Sequence, residues 1–191
     1  MSRQQDSMPK IVAIAGSPMP RSRTRSLVGE VQERIAREAG GSSSLVDIAD
    51  LVSCLMVRTR EEAAPKLAHA LLSVEGADLL VVGSPVYKGS YTGLFKHFMD
   101  LIDYKALAGV PVALLATGGS NRHALMIDHQ LRPLFTFFNA HTLPTGVFLS
   151  NGDFVEGHIV DQAHQNRLST LVREGVDALR LRTTSRGLRA A

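Results

Sequence analysis

The sequence predicts an α/β domain, a parallel sheet of five strands with helices on both faces, and three observations carry that prediction. Apolar runs of strand length alternate with longer segments of helical period. The runs are continuously apolar, as in Ile11-Val12-Ala13-Ile14 and Leu79-Leu80-Val81-Val82, which suits strands buried on both faces, whereas an antiparallel sheet would alternate. The chain has 191 residues, 45% of them hydrophobic and 20% charged, enough for one domain with a sizeable core.

In chain order, residues 11–15 are the first expected strand and 25–39 the first helix, followed by 44–48 and 62–74, then 79–83 and 93–102. Residues 110–117 and 122–138 form the fourth pair, 141–148 the fifth strand and 162–181 the closing helix. Right-handed crossovers and short connections leave few arrangements of five such units, and the flavodoxin-like order 2-1-3-4-5 is the commonest. Its ligand crevice lies outside the carboxyl ends of the strands, which brings together the loops after Ala15, Gly83 and Thr117. The domain is expected over residues 10–182, after a polar, disordered leader at 1–9 and before a flexible, arginine-rich tail at 183–191.

Composition narrows the function. Lysine plus arginine number 21 against 18 acidic residues, a net charge of +3. The arginines gather at Arg21, Arg23 and Arg25 and at Arg180, Arg182, Arg186 and Arg189, and only the first group sits in a motif, so no nucleic-acid partner is expected. A single cysteine, Cys54, excludes an intramolecular disulfide framework and points to a reducing compartment. The seven histidines lack the H-E-x-x-H frame, and no metal is expected. Without a secretory h-region or a run of about 18–20 apolar residues, the protein is expected in the cytoplasm and off the membrane.

The first loop, Gly16-Ser17-Pro18-Met19-Pro20-Arg21-Ser22-Arg23-Thr24-Arg25-Ser26, enters a helix. Amides at a helix N-terminus, helped by hydroxyls and a guanidinium, suit a phosphomonoester. A capped loop with solvated arginines is the plainer reading of this segment alone. Neither G-x-x-x-x-G-K-[ST] nor G-x-G-x-x-G occurs here, so neither a P-loop nor a dinucleotide fingerprint is supported. The second loop, Gly83-Ser84-Pro85-Val86-Tyr87-Lys88-Gly89-Ser90-Tyr91-Thr92-Gly93, offers two aromatic rings and backbone groups to a planar heterocycle. The third, Thr117-Gly118-Gly119-Ser120-Asn121-Arg122-His123, can bring backbone amides close to a ligand. Together they are what a mononucleotide with a planar ring requires, and flavin mononucleotide (FMN) fits best.

These motifs resemble the NAD(P)H-dependent FMN reductases of sulfonate-utilisation pathways. The resemblance is carried by Gly16-Ser17-Pro18, by residues 83–96, by Ala116-Thr117-Gly118-Gly119-Ser120 and by Leu143-Pro144-Thr145-Gly146-Val147, and spans roughly residues 10–180. It implies a flavodoxin-like fold, two-electron reduction of FMN by NADPH or NADH, and export of reduced FMN to a flavin-dependent monooxygenase. It also implies homodimers that pair into homotetramers. By position it implies Ser17, Ser22, Arg23 and Thr24 at the phosphate, Pro85, Val86, Tyr87, Lys88 and Gly89 at the ring and ribityl chain, and Thr117, Gly118, Gly119 and Ser120 at the far edge. Where the wider family often has arginine, two residues after the serine of the first loop, this chain has Met19, so the guanidinium comes from Arg21, Arg23 or Arg25 or is absent.

Hydride transfer between a nicotinamide and a flavin needs no side-chain nucleophile, so no general acid or base is assigned. Lys88 or the amides of Gly118 and Gly119 are candidates to balance charge at the ring. Pro133 predicts a distortion of the fourth helix near residues 127–131. The resemblance implies a π-bulge there at a tetramer interface, with His129 as the candidate inserted residue and a modulator of the site. Two alternatives share the motifs: an NAD(P)H-quinone or azo reductase, and a flavodoxin-like electron carrier, against which the net positive charge argues.

Overall fold

The computed structural model describes residues 8–189, with side chains described through Arg182. In chain order the elements are β1 (Lys10–Ala15), α1 (Arg23–Ala39), β2 (Ser42–Asp47), α2 (Ile48–Leu51), a 3-10 turn (Arg60–Glu62), α3 (Pro65–Glu75), β3 (Leu79–Pro85) and α4 (Gly93–Asp100). Then come β4 (Pro111–Gly118), a 3-10 turn (Asn121–His123), a π turn (Ile127–Leu131), α5 (Arg132–Phe137), β5 (His141–Ser150) and a 3-10 turn (Asn151–Asp153). A hairpin of β6 (Phe154–Val155) and β7 (His158–Ile159) leads into α6 (Gln162–Arg189). The sheet is parallel with the order β2-β1-β3-β4-β5, the flavodoxin-like order expected from the sequence.

Successive side chains of a strand point to opposite faces, so each central strand feeds two cores. Val12, Ile14, Leu80, Val82, Val112 and Leu114 meet Leu67 and Leu71 of α3, Phe95 and Phe98 of α4, and Phe135 of α5. Their alternates Ile11, Ala13, Leu79, Val81, Ala113 and Leu115 meet Leu27, Val31 and Ile35 of α1 and Leu168, Leu171 and Val172 of α6. The helix α1 lies so close on β3 that a Cβ at Gly83 would stand 2.4 Å from Val28 Cγ1 and 3.1 Å from Thr24 Cγ2.

Several boundaries differ from expectation for local reasons. The strand expected over 44–48 is Ser42–Asp47, because the Asp47 carboxylate accepts from Ala49 N–H at 3.1 Å and starts α2 at Ile48. The helix expected from residue 62 begins at Pro65, which fills a first-turn position where no N–H is needed. The single helix expected over 122–138 is a 3-10 turn, a π turn and then α5. The π turn falls where Pro133 predicted a distortion, and Arg132 N–H reaches back five residues to Ile127 O.

That wider turn has a counterpart in β5. Between Val112 and Leu114 the partner residue jumps from Thr142 to Gly146, so β5 bulges around Pro144, a tolerated place for proline on an edge strand. The Arg132 guanidinium donates to Leu143 O at 2.8 Å and pairs with Asp128 at 3.0 Å. Glu174 of α6 accepts from the Thr145 N–H and hydroxyl at 2.9 and 2.6 Å, and Arg167 donates to Gly146 O at 2.7 Å. Ile127 of the π turn sits over Gly146, where a Cβ would be 2.8 Å from its Cγ2.

The closing helix runs beyond the expected residue 181 to Arg189, so the backbone of the expected tail is helical over 183–189, and residues 190–191 lie outside the described residues. Of the expected leader, residues 1–7 also lie outside them. Among the described residues no helix is long and apolar enough to cross a membrane.

After β5 the Ser150 N–H and hydroxyl both donate to Asp153 Oδ2, at 2.7 and 2.9 Å. Burial pushes the Asp153 carboxyl up, but these bonds and the nearby His164 outweigh it and hold its pKa below the ordinary 3.8. A carboxylate with a depressed folded pKa stabilises the fold above its unfolded value and stops doing so as pH falls through the folded one. Asp153→Ala should therefore lose about 1 kcal/mol at neutral pH, and thermal melts should show its deficit shrinking as pH drops below 3.8. Gly83→Ala should destabilise by about 1–3 kcal/mol through overpacking of α1 against β3, read as a lower midpoint in urea.

Candidate functional site

The three loops meet at the carboxyl edge of the sheet and are joined there by short hydrogen bonds. Gly16 N–H donates to Gly83 O at 2.7 Å, an approach that any Cβ on Gly16 would block, since it would lie 2.9 Å from that oxygen. The buried Thr92 hydroxyl donates to Gly16 O at 2.6 Å and accepts from Phe95 N–H at 3.2 Å, capping α4. Thr92 N–H in turn donates to the buried Ser84 hydroxyl at 3.3 Å. Val86 N–H donates to Thr117 O at 2.8 Å, and the Thr24 and Thr117 hydroxyls share a buried 2.7 Å bond. Residues from α1, β3, α4 and β4 thus form one braced rim.

Within the first loop the buried Ser17 hydroxyl accepts from Met19 N–H at 3.1 Å, closing a turn around Pro18. Ser22 caps α1, accepting from Arg25 N–H at 3.2 Å, and α1 has no acidic residue in its first turn to offset its positive end. The three loop arginines go different ways. Arg25 pairs with Asp47 at 3.0 Å. Burial raises the Asp47 pKa, against the Ala49 amide and the Arg25 guanidinium, which lower it. Arg23 Nη1 donates to Asn151 Oδ1 at 2.7 Å, and its guanidinium lies over the Phe154 ring, 5.6 Å from the centroid. Arg21 is exposed in a left-handed conformation, φ 55°.

In the second loop Tyr87 and Ser90 exchange backbone bonds of 2.8 and 3.1 Å, and Lys88 and Gly89 between them both have positive φ, 52° and 84°. That is a tight two-residue turn of the primed kind, with Lys88 at its tip and Tyr87 46% exposed beside it. Ser90 Oγ donates to Gln130 Oε1 of the π turn at 3.1 Å. In the third loop Gly118 is crowded, a Cβ there lying 2.9 Å from Phe148 Cζ, while Gly119 and Gly89 face open space. Ser120 caps the Asn121–His123 turn by accepting from Arg122 N–H at 3.3 Å.

The structure therefore brings Ser17, Ser22, Arg23, Thr24, Pro85, Val86, Tyr87, Lys88, Gly89, Thr117, Gly118, Gly119 and Ser120 to one edge of the sheet. His129 is exposed on the π turn, and the residue of that turn bonded to the rim is Gln130. Sequence reasoning did not single out Ser84, Thr92, Gln130, Asn151 or Phe154. Only Thr92 carried a local signal, a threonine directly before an apolar helical run. Cys54 lies apart, its thiol donating to Leu51 O at 3.3 Å. Among the described residues no group of three His, Cys, Asp or Glu could hold a metal ion.

Residues 9–154 match the family described as NADPH-dependent FMN reductase. The NADH-dependent FMN reductase SfnF of Pseudomonas putida is 49% identical over 168 residues, 87% of this chain and 90% of that protein. An FMN reductase (NADPH) of Pseudomonas aeruginosa is 44% identical over 160 residues, 83% of this chain and 86% of that one. Among solved structures, the apo form of the NADH:FMN oxidoreductase EMOB superposes with a TM-score of 0.81 at 30% identity, over 88% of this chain and 89% of that one. The family match opens one residue before β1, takes in all three rim loops and closes at the head of the hairpin; the chain belongs to the NADPH-dependent FMN reductase family.

Proposed function

We propose that the protein reduces FMN with NADPH or NADH and passes the reduced FMN to a flavin-dependent monooxygenase, working in the cytoplasm. The observation that carries this reading is the braced rim, in which three loops stitched by buried hydrogen bonds surround donors and glycines that still face open space. The sequence resemblance points to a sulfonate-oxidising monooxygenase as the partner class. The names of the two Pseudomonas relatives divide between NADH and NADPH, so both donors are kept.

The residues present fit FMN. Ser22 Oγ accepts the capping N–H and keeps its own O–H to donate to a phosphoryl oxygen, beside the amides of the first turn of α1. One of the paired Thr24 and Thr117 hydroxyls donates to the other, which leaves one O–H for a ligand. Ser17 and Arg23 complete the phosphate end, while the backbone of Pro85 to Gly89 and of Thr117 to Ser120 would line the ring and ribityl chain. When bound, FMN supplies the hydride-accepting ring and the two-electron chemistry. The protein binds, orients and leaves one face open, and the Lys88 ammonium at the loop tip counters negative charge at the rim. Exposed Leu125, just before the π turn, and Phe137, the last residue of α5, at 63% and 70% accessibility, support assembly into homodimers and homotetramers.

Anaerobic stopped-flow mixing with FMN and each nicotinamide should show loss of the oxidised-flavin absorbance at on the order of 1–1000 per second, with reduced FMN recovered in the filtrate. Retained, unbleached flavin with both nicotinamides would instead indicate an electron carrier, and turnover that depends on a quinone or azo dye would indicate the other reductase class. Lys88→Gly removes the ammonium while preserving the positive-φ turn, and should slow FMN reduction by about fivefold, the scale of one exposed charge interaction. An unchanged rate would remove Lys88 from the mechanism.

A further inference from the structure

We infer that the segment after β5 is a fourth part of the site, and that Asn151 is a positioning residue that presents Arg23 to a phosphomonoester. The inference rests on the FMN reading above and extends it beyond the three loops.

Arg23 is the first residue of α1, and a free arginine there would lose considerable rotamer entropy on binding an anion. Here it is already held: Nη1 donates to Asn151 Oδ1 at 2.7 Å and the guanidinium lies over the Phe154 ring, 5.6 Å from its centroid. Neither partner is charged. Arg25, two residues on, is held by the Asp47 carboxylate at 3.0 Å, so its charge is countered. Arg23 is oriented yet keeps its full positive charge, which is what an anion site needs.

The platform that holds it is itself fixed. In register, Ser150 pairs with Gly118 of the third loop, so Asn151 follows directly from the rim. The nearby Asp153 carboxylate accepts from Ser150 and faces His164 Nε2 at 3.4 Å. Phe154 pairs with Ile159 and Val155 with His158 across a two-residue turn, Glu156 and Gly157, with φ of 49° and 84°. Ile159 is buried in the second core and its carbonyl accepts from Gln165 Nε2 at 2.6 Å.

Equilibrium binding of FMN and of riboflavin, followed by flavin fluorescence, tests the assignment in the 191-residue chain. Asn151→Ala should weaken FMN about threefold to tenfold, the scale of one lost hydrogen bond, and leave riboflavin, which lacks the phosphate, unchanged. Phe154→Leu should act in the same direction. In an Arg23→Ala background Asn151→Ala should have no further effect, and all variants should melt within a few degrees of the parent. Equal weakening of both flavins, no weakening, or tighter FMN binding would overturn the inference. So would a rise in KM for NADPH but not NADH without loss of FMN affinity, which would assign the guanidinium to the nicotinamide donor. Failure of the parent protein to bind FMN would refute the proposed function itself.

Discussion

The site depends on the opposite directions in which the chain leaves β1 and β3. In a sheet ordered β2-β1-β3-β4-β5 with right-handed crossovers, the connection after β1 goes to the face carrying α1 and α6, and that after β3 to the face carrying α3, α4 and α5. The two strands are neighbours, so a crevice must open between their carboxyl ends. The Gly16 to Gly83 hydrogen bond and the Thr92 hydroxyl on Gly16 O bridge the base of that crevice. Both are buried, and unmade they would leave polar backbone groups without partners, which is far more costly than the bonds are individually strong.

The same economy governs the rest of the rim. Hydroxyls of Ser84 and Thr92 are used on the protein itself, Thr24 and Thr117 bond each other with one O–H to spare, and these bonds make the loops rigid. What is left pointing outward is a first turn of α1 without acidic residues, a tight turn at Lys88 and Gly89, and the open backbone at Gly119. A rigid rim with outward donors loses little freedom when a ligand arrives. Arg25 and Arg23 show the same contrast, one neutralised by Asp47 and the other oriented by uncharged partners.

The π turn and the β5 bulge are two parts of one compromise. Pro133 cannot donate to the helix ladder, and the turn before it widens. Gly146 lies beneath Ile127 and gives it room, while Arg132, Arg167 and Glu174 bond the bulged backbone of β5. The turn is thereby seated against the sheet, and through Gln130 and Ser90 its position is tied to the second loop.

What the sequence by itself determined is what rests on local chemistry: five strands from their continuous apolar runs, their order from crossover handedness, the three loops from their glycine, serine and threonine content, and the distortion before Pro133. Helix starts were less legible, because Asp47 and Pro65 redefine them through a cap and a first-turn proline that periodicity does not weigh. Only the tertiary structure decided which arginine is neutralised by a carboxylate and which is held by uncharged partners, that Thr24 and Thr117 brace each other across 93 positions, and that Asn151 and Phe154 are those partners, 128 and 131 positions from Arg23. Hydrophobic period is written into neighbouring residues, whereas a hydrogen bond between remote side chains exists only once the sheet has brought their strand ends together.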